Sequence, residues 1–100
     1  MQQAHKDVTL EIFSLPEFPF IRQATGLAAV RRAIEHNFTV LEDQHPVLGN
    51  VIAQGDVLVL IGSERGRVRE SGAEYFVEFV HRFTFAEGAL RNIRIIAARA

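Results

Sequence analysis

His81 is the residue in this chain best placed, by type and spacing, to do chemistry. Tyr75, Val77, Phe79, His81, Phe83 and Phe85 share one parity of an alternating stretch, while Glu74, Phe76, Glu78, Val80, Arg82 and Thr84 share the other. Residues two apart on a strand face the same side. The histidine is therefore the one group titrating near neutrality on an otherwise apolar face. An imidazole in an apolar pocket can donate a hydrogen bond or act as acid or base near pH 7. The same pattern suits a core histidine bonded to a backbone carbonyl or to water. If His81 is catalytic, then Tyr75, Val77, Phe79, Phe83 and Phe85 are the wall of its pocket.

Other constellations carry less. Glu78-x-x-His81 imitates a di-metal motif that works on a helix, but on a strand its two members point to opposite sides. His5, His36 and His45 are scattered over a tail, a helix exterior and a loop, so neither a metal site nor a cofactor is expected. The chain has no cysteine, which removes thiolate ligands, disulfides and cysteine nucleophiles. Ser14, Ser63 and Ser71 lie in no nucleophile elbow, and no glycine loop ends in Lys-Ser or Lys-Thr. Arg65, Arg67 and Arg69 alternate into a short basic stripe that suits an anionic group, an interface, or simply a solvated hairpin end balanced by Glu64, Glu70 and Glu74. A net charge of -1 argues against a polyanion partner, and the strand Glu74–Phe79 lacks the basic residue and glycines of an RNA-binding strand. No nucleic-acid partner is expected. No apolar run approaches the roughly 18 residues of a membrane span, so no membrane partner and a cytoplasmic location are expected.

The elements that must position these residues fit one domain spanning residues 1–100, with 48% hydrophobic residues and room for one core. Val8 to Phe13 alternates as a half-buried strand. Leu15 to Phe20 contains two prolines and is expected as an irregular or edge segment. Thr25 is expected to cap a helix whose Leu27, Val30, Ala33 or Ile34, and Phe38 face a core, with Arg31, Arg32, Glu35 and His36 mostly opposite. Val47 to Ala53 and Val57 to Ile61 form a hairpin turning at Gln54-Gly55-Asp56. Gly62 to Gly72 is expected as a strand end plus an exposed loop, Ala86-Glu87-Gly88 as a turn, and Leu90 to Ala98 as the last strand. The expected fold is an α+β roll: a strongly curved antiparallel sheet with one main helix packed on it.

Thr25-Gly26-Leu27-Ala28-Ala29-Val30, the hairpin Val51 to Val59 and the closing pair Phe83 to Leu90 resemble, in order and spacing, the SnoaL-like polyketide cyclase group. That group belongs to the nuclear transport factor 2-like superfamily, which also holds ketosteroid isomerase and limonene epoxide hydrolase. The resemblance runs from about Asp7 to Ala98 and implies a cystatin-like roll around an apolar pocket, to which Ile12 also contributes. It implies a carboxylate base at the position Ile12 occupies, and isoleucine cannot abstract a proton. It places His81 where the isomerases carry a protonated acid in the oxyanion hole. Family members usually start with two helices that close the mouth of the sheet, so the resemblance casts this chain as N-terminally truncated.

Two functions follow as expectations. In the first, an apolar pocket binds a small hydrophobic molecule, with lyase or isomerase chemistry at His81 as its extension. In the second, the chain is a non-catalytic assembly module. Without the closing helices, the Phe79, Phe83 and Phe85 face is expected to lie open beyond what soluble monomers usually expose. A homodimer or higher homo-oligomer packed through sheet faces would cover it, and so would the chain's own helix laid across the mouth.

Overall fold

Period-two alternation carries most of the chain into one sheet. The computed structural model describes residues 4–100, and its elements are β1 (Ala4–Phe13), β2 (Gln23–Thr25), α1 (Leu27–Val40), β3 (Leu41–Gln54), β4 (Val57–Val68), β5 (Glu74–Ala86) and β6 (Ala89–Arg99). The six strands lie in the order β2-β1-β6-β5-β4-β3. The meander from β3 to β6 is antiparallel and delivers β6 beside β1 running the same way. The sheet is therefore mixed, which corrects the wholly antiparallel expectation at that one pair.

Helix α1 begins at Gly26, whose φ of 93° breaks the β2 conformation, and no side chain caps it. Thr25 does not act as the expected cap because it is paired with Thr9 as the end of β2. The helix lays Val30 and Ala33 on Val8, Leu10, Ile12 and Ile93, which form one core cluster. It passes directly into β3, as Leu41 is already extended. Phe38, expected on the buried stripe, is 67% exposed in the last turn. A second core cluster gathers Phe18, Val40, Leu41, Val68, Tyr75 and Val77.

Two further expectations are corrected. Strand β4 runs through Arg65 and Arg67 to Val68, so the connection after it is only residues 69–73. Its two arginines alternate with Glu64, Gly66 and Val68, and both β3 and β5 pair with it there. Strand β3 starts at Leu41 rather than near Pro46, and the proline is tolerated because β3 is an edge strand. Nor is the concave face left open. Helix α1 and the segment 14–22 cover much of it, and Phe79, Phe83 and Phe85 are half-buried. Among the described residues, no helix is long and apolar enough to cross a membrane.

Candidate functional site

The segment between β1 and β2 folds inward because its own arginine holds it. The Arg22 guanidinium donates to the carbonyls of Ser14 (3.2 Å), Leu15 (2.6 Å) and Phe18 (2.9 Å). Asn37 of α1 accepts from the Ile21 amide and donates to the Ile21 carbonyl, tying segment to helix. Phe18 is thereby driven edge-on against Phe20 and Tyr75, with ring centroids 5.2 and 5.1 Å apart. Helix, segment and sheet do not close completely. Between them lies a cavity of about 420 Å³, within the range of small-molecule sites.

Ile12, Tyr75, Val77, Phe79 and His81 all line this cavity. Phe83 and Phe85 do not. Phe83 packs instead against the first core cluster, and Phe85 lies past a register shift in the β5–β6 pairing. The isoleucine at position 12 is buried and faces the cavity, so no carboxylate is offered there. Exposed Phe38 and Pro46 mark where the cavity meets solvent.

His81 is flanked by two aromatics, tilted against Phe79 at 4.7 Å and edge-on to Phe83 at 6.3 Å between ring centroids. His81 lines the cavity, and no hydrogen bond within the described residues reaches either nitrogen of its ring. Burial pushes its pKa below the usual histidine value, while the negative charge of Glu64 pulls the other way. The imidazole is consequently neutral at pH 7, with one donor and one acceptor.

Glu64 is a site residue that sequence reasoning assigned to a solvated hairpin end. It lines the cavity and accepts at Oε2 from the Tyr75 hydroxyl (2.5 Å) and from Gln44 Nε2 (3.3 Å). Two local features build this cluster. Tyr75 lies across Gly66, its cross-strand partner, where a Cβ would come within 2.6 Å of the phenol oxygen. A bulge in β3, with Asp43 at φ 53°, inserts one residue between the pairs Glu42–Arg67 and His45–Arg65. That extra residue flips the alternation, so Gln44 and Pro46 face the cavity. The Arg67 guanidinium meets Glu42 and Asp43 and fastens the bulge. Burial first, then the bond to Glu64 and its charge, hold the Tyr75 phenol far above its ordinary pKa.

A second, more open cleft of about 710 Å³ lies by Glu11, Arg22 and Gln23. Its guanidinium is already engaged by three carbonyls. Among the described residues, no three His, Asp or Glu side chains gather as a metal would require.

Comparison with known proteins fits this geometry. A family model described as a SnoaL-like domain matches residues 1–93. A search of curated proteins gives no match. Among solved structures, TerC co-crystallised with polyporic acid superposes with a TM-score of 0.69 at 22% identity, covering 96% of this chain and 74% of that one. A candidate SnoaL-like polyketide cyclase from Jannaschia sp. CCS1 gives 0.73 at 21%, covering 96% and 67%. An NTF2-like protein from Burkholderia xenovorans LB400 gives 0.78 at 17%, covering 97% and 72%. At these identities the likeness establishes the fold.

Proposed function

Because the chain belongs to the SnoaL-like domain family, matched over residues 1–93, we propose that it binds a small hydrophobic molecule in the concave cavity, with His81 as the polar centre. The observation that carries this reading is a cavity of about 420 Å³, walled mainly by aliphatic and aromatic side chains, onto which an unpartnered neutral imidazole opens. Burying an apolar ligand there is favourable at about 25 cal/mol per Å² of surface removed from water. An imidazole with one donor and one acceptor is suited to the proton transfers of an isomerase or lyase, and any such step on the bound molecule runs through His81. The structurally similar TerC was crystallised with an organic acid, polyporic acid, which supports ligand binding as the use of this fold.

Fluorescence titration with naphthalene and a panel of larger hydrophobic molecules tests the proposal. Wild-type protein is expected to bind several members, and Ala97→Phe, which fills the cavity from β6, is expected to abolish binding. Wild-type protein that binds none removes the site. His81→Ala that leaves every affinity unchanged removes His81 from it.

A second reading, homo-oligomeric assembly, is supported by Val47, Leu48, Val51, Ile52, Phe76 and Ile96, all exposed large hydrophobics. Val47, Ile52, Phe76 and Ile96 lie on the sheet face opposite Phe79 and His81, whereas Leu48 and Val51, in register with Gly62–Phe79 and Leu60–His81, lie on the same face as that pair, out on the edge strand β3. The two readings are compatible.

A further inference from the structure

The cavity has a second polar pole, and its chemistry narrows what the cavity holds. Glu64 is the one carboxylate among the lining residues, and no lysine or arginine lines the cavity. Its Oε2 is occupied by Tyr75 and Gln44, at 2.5 and 3.3 Å. No hydrogen bond within the described residues reaches Oε1. Glu64 on β4 is flanked by its two partners on β3 and β5, so the carboxylate is held by the sheet itself. Along the strands, Glu64 is opposite Val77, while His81 lies four residues further on, about 13 Å at roughly 3.3 Å per residue. Val77, Phe79 and Ala97 line the intervening wall, a length that suits a fused-ring body.

We propose that Glu64 Oε1 accepts a hydrogen bond from a neutral hydroxyl on the bound hydrophobic molecule, so that the cavity selects phenols and alcohols over ethers and carboxylates of the same skeleton. This rests on the cavity being a ligand site. The one fixed charge in the lining is negative, so an anionic ligand meets repulsion with no counter-charge to offset it. An ammonium group would have to leave water for a mostly apolar cavity and would find a single free oxygen there. A hydroxyl loses less solvation and forms a charge-assisted bond to the carboxylate. An ether has no proton to give.

The test is a titration of the full chain with one skeleton carrying different groups: naphthalene, 2-naphthol, 2-methoxynaphthalene, 2-naphthoate and 2-naphthylmethylamine. Wild-type protein is expected to bind 2-naphthol about tenfold more tightly than the methoxy compound, the effect of one hydrogen bond to a charged group, with naphthoate weakest. Glu64→Gln and Glu64→Leu, each checked for folding by thermal melting, are expected to bring naphthol and its ether to within about threefold while naphthalene affinity holds. His81→Gln is expected to keep the naphthol preference. Naphthalene binding without a naphthol preference in wild-type protein overturns the Glu64 pole and leaves the cavity reading standing. A preference that survives both Glu64 variants, or is lost in His81→Gln, assigns the hydroxyl elsewhere and overturns it. So does tighter binding of the amine than of naphthol. If no probe binds, the cavity reading fails and this inference falls with it. Should neither Glu64 variant fold, the wild-type ranking decides alone.

Discussion

His81 carries a pH signature that separates it from a solvated histidine. Its pKa in the folded chain lies below the unfolded value near 6.5 because burial disfavours the imidazolium. Above that value the ring is neutral in both states and its contribution to stability is complete. As the pH falls below it, the unfolded chain takes up a proton that the folded chain resists, and stability drops. Urea denaturation at pH 8 and pH 5 should show the wild type losing more stability than His81→Gln; equal losses would place the ring in ordinary solvent. Glycines supply a second residue-scale test. A Cβ at Gly62 would come within 2.3 Å of the Val47 carbonyl oxygen, which is backbone, whereas at Gly66 it meets the end of the Tyr75 side chain. Gly66→Ala should cost about 1–3 kcal/mol by overpacking, and Gly62→Ala should cost more, because a strand cannot move aside as a phenol can. Chemical denaturation of the two variants decides the order. Parity along one strand suffices to put Tyr75, Val77, Phe79 and His81 on one wall. It does not say where the cavity ends, which is why Phe83 and Phe85 were grouped with them. Glu64 and Gln44 were illegible for a different reason: their facing depends on cross-strand register and on a bulge at Asp43, neither of which leaves a periodic trace.

At the scale of elements, the turn between β5 and β6 contains a removable strain. Its two residues, Glu87 and Gly88, both have positive φ, 54° and 79°, as a type I′ hairpin turn requires at both central positions. Glycine tolerates this at no steric cost, but glutamate does not, and asparagine is the side-chain-bearing residue that adopts it most readily. Glu87→Asn is expected to stabilise the chain by about 0.5–1 kcal/mol and to raise the melting temperature by a few degrees in calorimetry. An unchanged or lower value would show that Glu87 makes a compensating contact. The hairpin turn at Gly55 and the long strand β5 were legible because alternation and turn chemistry agree there. The second half of β4 was not, since Glu64, Arg65 and Arg67 carry charge on both faces and so resemble a loop in any hydropathy pattern. The opposite failure occurs at Thr25. A threonine before an apolar helical stripe signals a cap, yet tertiary pairing with β1 takes that residue into β2.

For the whole molecule, the unresolved balance is between one covered and one uncovered sheet face. Helix α1 and the segment 14–22 occupy the concave side, whereas among the described residues no helix packs on the convex side. Register places Ile61, Val80, Ile96 and Phe13 in one row straight across β4, β5, β6 and β1 on that convex face. On β3 the row ends at Asn50, opposite Ile61, while Ile52, opposite Val59, stands on the same face in the next row. The neighbouring row carries Arg82 and Arg94 directly opposite each other, with Glu11 beside Arg94. An apolar row flanked by fixed charges of both signs is a surface that a two-fold axis can pair with itself, and a stable dimer needs about 800 Å² from each partner. Cover over much of the concave face thus moves the expected interface to the other side of the sheet without removing the reason for one. Light scattering at micromolar concentration should give twice the mass of the chain. Ile96→Glu, at a position 45% exposed within the single chain, should leave the fold intact but weaken association at least about tenfold by burying an unpaired charge at the interface. A wild-type protein that runs as a monomer, or an Ile96→Glu variant that still dimerises with unchanged affinity, would show that the convex row is solvated surface. Ligand binding in the concave cavity should be the same in monomer and dimer, since the two faces share only the backbone of the sheet between them.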